Sequence, residues 1–269
     1  MPPPPPKKGL AAEGMPTLRA AARDLGLVLA EEQVRAFHRH WQELVAWNKR
    51  FNLTTVTDYE TAQVRHFLDS LLPLVALREV GWLPGGERAA RPPHWPPGRR
   101  LLCADIGSGA GFPGVPLKVV CPAWGMVLVE SVGKKAQFLR HLVGVLALDD
   151  VRVEQARAEE VGRDPLHREQ YDLVVARAVA DLRVLAEYAL PLLRRGGLLA
   201  AHKGSRAEQE VWEAEKALHI LGGDVVRILS YELPGVVEPR RIVLVEKRSA
   251  TPAPYPRRPG IPQKRPLGR

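Results

Sequence analysis

From residue 101 onward the chain alternates short apolar runs with stretches of helical periodicity, and this alternation limits the possible fold more than any other feature. The apolar runs fall at 101–106, 125–130, 151–155, 171–176 and 197–202, and helical patterns occupy about 114–121, 133–147, 181–193 and 206–221. Short runs that are apolar throughout, and rich in β-branched residues, read as strands buried on both faces. Such strands need helices above and below a parallel sheet. Two further strand-like runs, 225–232 and 240–247, are joined by LPGVVEP. That link is too short for a helical crossover, so an antiparallel hairpin is predicted. The hairpin departs from the dinucleotide fold, in which all strands run parallel.

The first hundred residues have a different texture. Residues 17–50 read as helix, with Leu18, Leu25 and Leu29 giving way to Val34, Phe37, Trp41, Leu44 and Val45 at three- and four-residue spacing. A second amphipathic helix is predicted over about 60–80, with Val64, Phe67, Leu68, Leu71 and Leu72 on one face. The resulting plan is a disordered tail (1–16), a helical extension (17–82), a Pro/Arg-rich loop (83–100), the α/β domain (101–248) and a basic, proline-rich C-terminal segment (249–269). The net charge of +9 sits almost wholly on the irregular parts: +1 in 1–16, +3 in 84–100 and +6 in 248–269, which together hold 17 of the 25 prolines. A neutral body with stiff basic arms suits a polyanionic partner, although solubilising tails would look the same. Cys103 and Cys121 lie within apolar runs, so no disulfide framework or cysteine zinc site is expected. With no membrane-length apolar run and no apolar signal core in Met1–Gly9, a soluble, cytoplasmic chain is expected.

The segment Asp105-Ile-Gly107-Ser-Gly109-Ala-Gly111 follows the first predicted strand and opens onto a helix. Glycines there let the backbone approach a ligand closely, and the helix start aims N–H groups at an anionic or carboxylate group. Gly109-Ala-Gly111-Phe-Pro-Gly114 also satisfies the dinucleotide spacing, but it starts about three residues too late after the strand. In the earlier frame Phe112 stands where the third glycine belongs. With the terminal hairpin, this favours a cradle for the methionine end of S-adenosylmethionine over a nicotinamide cofactor. A tight turn with no ligand is the remaining alternative. Glu130, at the end of the second strand, is placed to accept hydrogen bonds from ribose hydroxyls, or is a solvated strand-end acid. Ala158-Glu159, after the third strand, lies where an adenine edge would be met, in a stretch where acids are common. Arg177 ends the fourth strand on the carboxyl side of the sheet, where ligands bind; the alternative is a salt bridge to Asp105 or Glu159.

Taken in order, Arg65-His-Phe-Leu-Asp-Ser-Leu71, Asp105 to Pro116, Glu130-Ser-Val-Gly-Lys-Lys135, Ala176-Arg-Ala178, Lys203-Gly204, Tyr255-Pro-Arg-Arg258 and Gln263-Lys-Arg-Pro-Leu267 resemble one bacterial family. It is the 16S ribosomal RNA guanine-N7 methyltransferases, RsmG, also called glucose-inhibited division protein B. The resemblance spans about residues 34–267. It implies a Rossmann-like class I S-adenosylmethionine-dependent methyltransferase fold, and methyl transfer to N7 of a guanine in the decoding region of 16S rRNA. Carried over by position, it implies cofactor contacts at Gly107, Phe112, Glu130, Ser131, Val132, Ala158, Glu159 and Arg177. The 83–100 insert is longer than the family's usual connection, and residues 1–16 have no counterpart.

A ring nitrogen such as guanine N7 loses no proton on methylation, so no general base is required. The site has only to align N7 with the methyl carbon, exclude water and tolerate charge moving from sulfur to base. The absence of an N-P-P-Y type motif fits that target, and the eight histidines show no metal-ligand spacing. Candidate RNA contacts are His66, Lys134, Lys135, Lys203, Arg257, Arg258, Lys264 and Arg265. His66 and Asp69 could instead form a local helical pair, and Ser70 could simply pack. Lys134 and Lys135 could be solvated, and Trp41 and Trp47 are expected in the core. The expected partner is 16S rRNA or the 30S subunit, bound by a monomer with neither metal nor membrane. The competing functions are an NAD-dependent oxidoreductase and a non-catalytic RNA-binding protein with a vestigial methyltransferase fold.

Overall fold

A computed structural model of the chain describes residues 14–83 and 100–268. Most of the predicted 1–16 tail and 83–100 loop therefore lies outside the described residues. Seven strands form one sheet: β1 (Leu102–Ile106), β2 (Gly125–Val129), β3 (Val151–Glu154), β4 (Tyr171–Arg177), β5 (Leu193–Lys203), β6 (Gly223–Tyr231) and β7 (Arg240–Lys247). Their order is β3-β2-β1-β4-β5-β7-β6. β1 to β5 run parallel, whereas β7 lies antiparallel to both β5 and β6. Every strand foreseen in the sequence is present, and the hairpin closes one edge of the sheet.

Alternation along the strands separates two layers. Cys103, Leu173, Val175, Leu198, Ala200 and Leu244 face one core, shared with α1 (Pro16–Asp24), α2 (Glu31–Phe51), α4 (Asp69–Glu79), α5 (Gly114–Val120) and α6 (Gly133–Val145). Ala104, Ile106, Val127, Val174, Leu199 and Val243 face the other, beneath α8 (Leu182–Ala189) and α9 (Ala207–Leu221). The N-terminal helices thus share the core of the sheet. Their apolar faces would be exposed if they stood apart.

Three departures from the sequence reading have local causes. The single helix expected over 17–50 is two helices, because Gly26 at φ +72° closes α1 and Leu27 N donates back to Ala22 O at 2.8 Å. The helix expected over 60–80 is present, but α3 (Tyr59–Ala62) passes into α4 through a π-helical stretch, Gln63–Leu68. His66 lies within that wider turn and Asp69 directly follows it; such turns occur frequently at functional sites. The short helices α7 (Ala158–Val161) and α10 (Ile261–Lys264) were not foreseen, since four residues are too few to show a period.

Candidate functional site

The glycine turn is held from below and open at Gly109, whereas a Cβ at Gly111 would meet Val115, His40 and Leu142 at 3.0–3.3 Å. Gly107, Gly109 and Gly111 have φ of +68°, +57° and +91°, a region that side-chain-bearing residues avoid. Gly107 N and Ser108 N both donate to Val129 O, at 2.8 and 3.2 Å, tying the turn to the end of β2. A Cβ at Gly109 would meet nothing nearer than Gly107 O at 3.7 Å, so that side of the turn is free for a ligand. Glu130 is 5% exposed and joins two turns with one carboxylate: Gly109 N donates to Oε2 at 2.9 Å and Val132 N to Oε1 at 2.8 Å. Each oxygen keeps a second lone pair. Ser131 and Val132 lie exposed beside it, Val132 by 47%.

Asp105 corrects its expectation as a cofactor contact. It is sealed beneath the turn, where Gly114 N donates to Oδ2 at 2.9 Å and Oδ1 has no partner among the described residues. Burial raises its pKa to about 7 against the Gly114 hydrogen bond, which pulls the other way. Its part is to set the turn rather than to face the crevice.

Phe112 is likewise committed through its ring. It is stacked between His40, 4.5 Å away at 8°, and His66, 4.6 Å away at 14°, with Phe67 edge-on at 5.4 Å. His40 Nε2 donates to Ala110 O at 2.8 Å, and His66 Nε2 donates to Val56 O at 3.1 Å. Burial pushes the His40 pKa down to about 3 and that of His66 to about 4, so both rings are neutral at pH 7. Such a column fixes the turn against α2 and the π-helical stretch. What Phe112 can offer a ligand is its backbone. The local His66–Asp69 pair is not formed.

Asp69 instead receives Arg177. The guanidinium donates from Nη1 to Asp69 Oδ2 and to Arg65 O, both at 2.8 Å, and lies 5.2 Å from the Phe112 ring centroid. The salt-bridge partner considered for Arg177, Asp105 or Glu159, is therefore a different acid. Arg240 Nε stands 3.7 Å from the other Asp69 oxygen, and His202 Nε2 donates to Asp69 O at 2.9 Å. Ser70 Oγ donates to His66 O, a bond internal to the helical stretch, which agrees with a packing role.

These groups line a cleft of about 700 Å³ at the carboxyl ends of β4 and β5. Its cations are Arg65, Arg177, Lys203, Arg206 and Arg240, against Asp69, Asp181 and Glu210. Val179 joins the cleft to the glycine turn: it lines the cleft, and a Cβ at Gly107 would come within 2.8 Å of its Cγ2. Lys203, expected to meet RNA, already donates to Glu210 Oε2 and Ala180 O, each at 2.7 Å.

The remaining expected residues are dispersed. Ala158 and Glu159 open α7, but the Glu159 carboxylate is buried and accepts from Gly260 N at 2.8 Å, so its side chain is turned to the C-terminal segment. Lys134 is exposed, 5.8 Å from the Phe51 ring centroid, and Lys135 is half-buried. Arg257 is bound to Glu187 through Nε and Nη2, at 2.9 and 2.6 Å, so its expected phosphate contact gives way to a structural ion pair. Arg258, Lys264 and Arg265 are exposed, with no side-chain ion pair among the described residues. Trp41 and Trp47 do pack, Trp41 donating to Thr57 O at 3.1 Å and Trp47 against Phe138 at 5.5 Å. His40 and Arg240 were missed, for neither sits in a motif that marks it; only the fold brings them to the turn and the cleft. Among the described residues no His, Cys, Asp or Glu group is placed to hold a metal ion, and no helix is long and apolar enough to cross a membrane.

The sheet order, the terminal hairpin and a glycine turn braced by an acid at the end of β2 together define a Rossmann-like methyltransferase fold. A family model described as GidB, rRNA small subunit methyltransferase G, matches residues 93–237. The ribosomal RNA small subunit methyltransferase G of Roseiflexus castenholzii is 50% identical over 253 residues, covering 94% of this chain and 100% of that protein. Its namesake from Pelotomaculum thermopropionicum is 45% identical, covering 93% and 98%. That of Lactobacillus johnsonii is 41% identical, covering 90% and 95%. The chain belongs to the rRNA small subunit methyltransferase G family. Among solved structures, a P. horikoshii TYW2 in complex with MeSAdo overlaps with a TM-score of 0.45 at 17% identity, over 55% of this chain and 56% of that one.

Proposed function

We propose that the protein transfers the methyl group of S-adenosylmethionine to N7 of a guanine in 16S rRNA, acting in the cytoplasm on the free rRNA or the 30S subunit. The cofactor supplies an electrophilic methyl on a sulfonium. The residues present fit it: a positive-φ glycine turn open at Gly109 for its methionine end, spare Glu130 lone pairs for ribose hydroxyls, and exposed Val132 as an apolar surface beside them. Backbone at Ala158 and Glu159 would meet the adenine.

One observation carries the choice of acceptor. Every acid that lines the cleft is already engaged: Asp69 by Arg177, Asp181 by Arg183, and Glu210 by Lys203 and Leu182 N. His66 is held neutral with its Nε2 proton on a carbonyl. His66 Nδ1 and His202 Nδ1 are buried, and burial lowers the pKa of both rings, so among the described residues the cleft presents no strong, accessible base, which suits a nucleophile that loses no proton. With the cofactor bound, the N7 in-plane lone pair would take the methyl as the S–C bond breaks, with no proton for the residues of the cleft to remove. The cationic rim supplies contacts for RNA phosphates. The deciding experiment is methyl transfer to naked 16S rRNA and to 30S subunits, followed by borohydride reduction and aniline scission to map 7-methylguanine. Label incorporated without a scission site would sink the N7 assignment.

A further inference from the structure

The C-terminal segment reaches the body at the short helix that would meet the adenine. Gly260 N donates to Glu159 Oε1 at 2.8 Å, and a Cβ on Gly162, the residue that ends α7, would come 3.0 Å from Pro256 Cγ. Arg163 Nε donates to Pro256 O at 2.6 Å, and Arg168 to Tyr255 O and Thr251 O, both at 2.7 Å. The anchor is Arg257: its backbone N, Nε and Nη2 all donate to Glu187, which is fully buried on α8. Nη2 also donates to Arg265 O at 2.7 Å, folding the segment back on itself. A four-residue helix such as α7 has too few internal hydrogen bonds to stand alone, so its conformation is set by what touches it. On one side that is α8; on the other it is this segment.

Resting on the S-adenosylmethionine reading above, we infer that the C-terminal segment is a working part of the cofactor site. Arg257 on Glu187 seats Gly260 against Glu159, and this fixes the first turn of α7 and the backbone of Ala158 that faces the adenine. Arg257 and Glu187 are positioning residues, since neither touches the cofactor. Cofactor binding and docking of the segment are then coupled, and the coupling is reciprocal.

The test uses the full chain, the variants Arg257→Ala and Arg257→Lys, calorimetry with S-adenosylmethionine, and amide hydrogen exchange. R257A is expected to bind the cofactor about tenfold more weakly and R257K by less. Exchange should rise at 158–162 while 107–112 stays protected, and kcat at saturating cofactor should hold. In the wild-type protein, adding S-adenosylmethionine should slow exchange at 257–264, a readout that survives even if R257A fails to fold. Affinity within twofold of wild type for R257A, or no cofactor effect on exchange at 257–264, would overturn the inference and leave the segment a structural pin. Wild-type protein that binds no S-adenosylmethionine would instead overturn the cofactor reading itself.

Discussion

Asp105 and Glu130 both belong to the glycine turn, and their environments give them opposite duties. Asp105 is buried with a pKa raised from 3.8 to about 7, so between those values the native state holds a proton that the unfolded chain has released. Its contribution therefore favours the fold below about pH 4 and fades as pH rises to 7. His66, lowered from 6.5 to about 4, works the other way and costs stability as pH falls through that window. Asp105→Asn can keep the acceptor for Gly114 N while removing the titration. Its stability relative to wild type should improve from pH 4 to pH 7 by up to about 4 kcal/mol; urea midpoints across that range test this, and a flat difference would mean that Asp105 ionises normally. Glu130→Ala should weaken S-adenosylmethionine binding by about 1–3 kcal/mol in calorimetry and leave RNA affinity unchanged. Because Glu130 also accepts from Gly109 N and Val132 N, the melting temperature should fall too. Glu130 was legible in the sequence because strand ends are. His40, 70 residues before Ala110 to which it donates, carried no local signal at all.

At the scale of elements, what could be read was what a local pattern encodes. The strands showed because burial on both faces leaves apolar runs, and the hairpin showed because its link is short. The break at Gly26 was hidden, since Leu25 and Leu29 continue a helical spacing across it while Leu29 packs in the core from the following loop. The π-helical stretch had no signature, because one extra residue in a turn does not alter which side chains are apolar. The glycine turn was the most legible element, and its positive φ values invite a direct test. Gly109→Val meets strain but no collision, as the nearest atom to a Cβ is 3.7 Å away. The variant should stay folded, at a cost of about 1–3 kcal/mol. It should nevertheless lose S-adenosylmethionine affinity, and with it methyl transfer, by about a hundredfold or more. Thermal melts beside calorimetry separate the two effects. A variant that methylates normally would show that the cradle lies elsewhere.

For the whole molecule, the +6 of residues 248–269 could be placed by composition, but composition could not assign their charges to duties. That depended on where the segment folds back. Arg257 is bound to Glu187, whereas Arg258, Lys264 and Arg265 stand exposed without ion pairs among the described residues. The four C-terminal residues among the expected RNA contacts therefore divide. Removing Arg257 leaves Glu187 buried and unpaired, so Arg257→Ala should cost about 3 kcal/mol of stability, seen as a lower melting temperature. Its guanidinium is neutralised within the fold, so the slope of log RNA affinity against log salt should scarcely move. The triple change of Arg258, Lys264 and Arg265 to Ala should do the reverse. It removes no partner from a buried acid, so melting should be unaffected. If all three meet phosphates, the salt slope should flatten by up to about 3, one counterion per lost contact, at unchanged S-adenosylmethionine affinity. An unaltered slope in the triple variant would take the segment out of RNA binding and leave the cleft's own cations, Arg65, Arg206 and Arg240, to carry it.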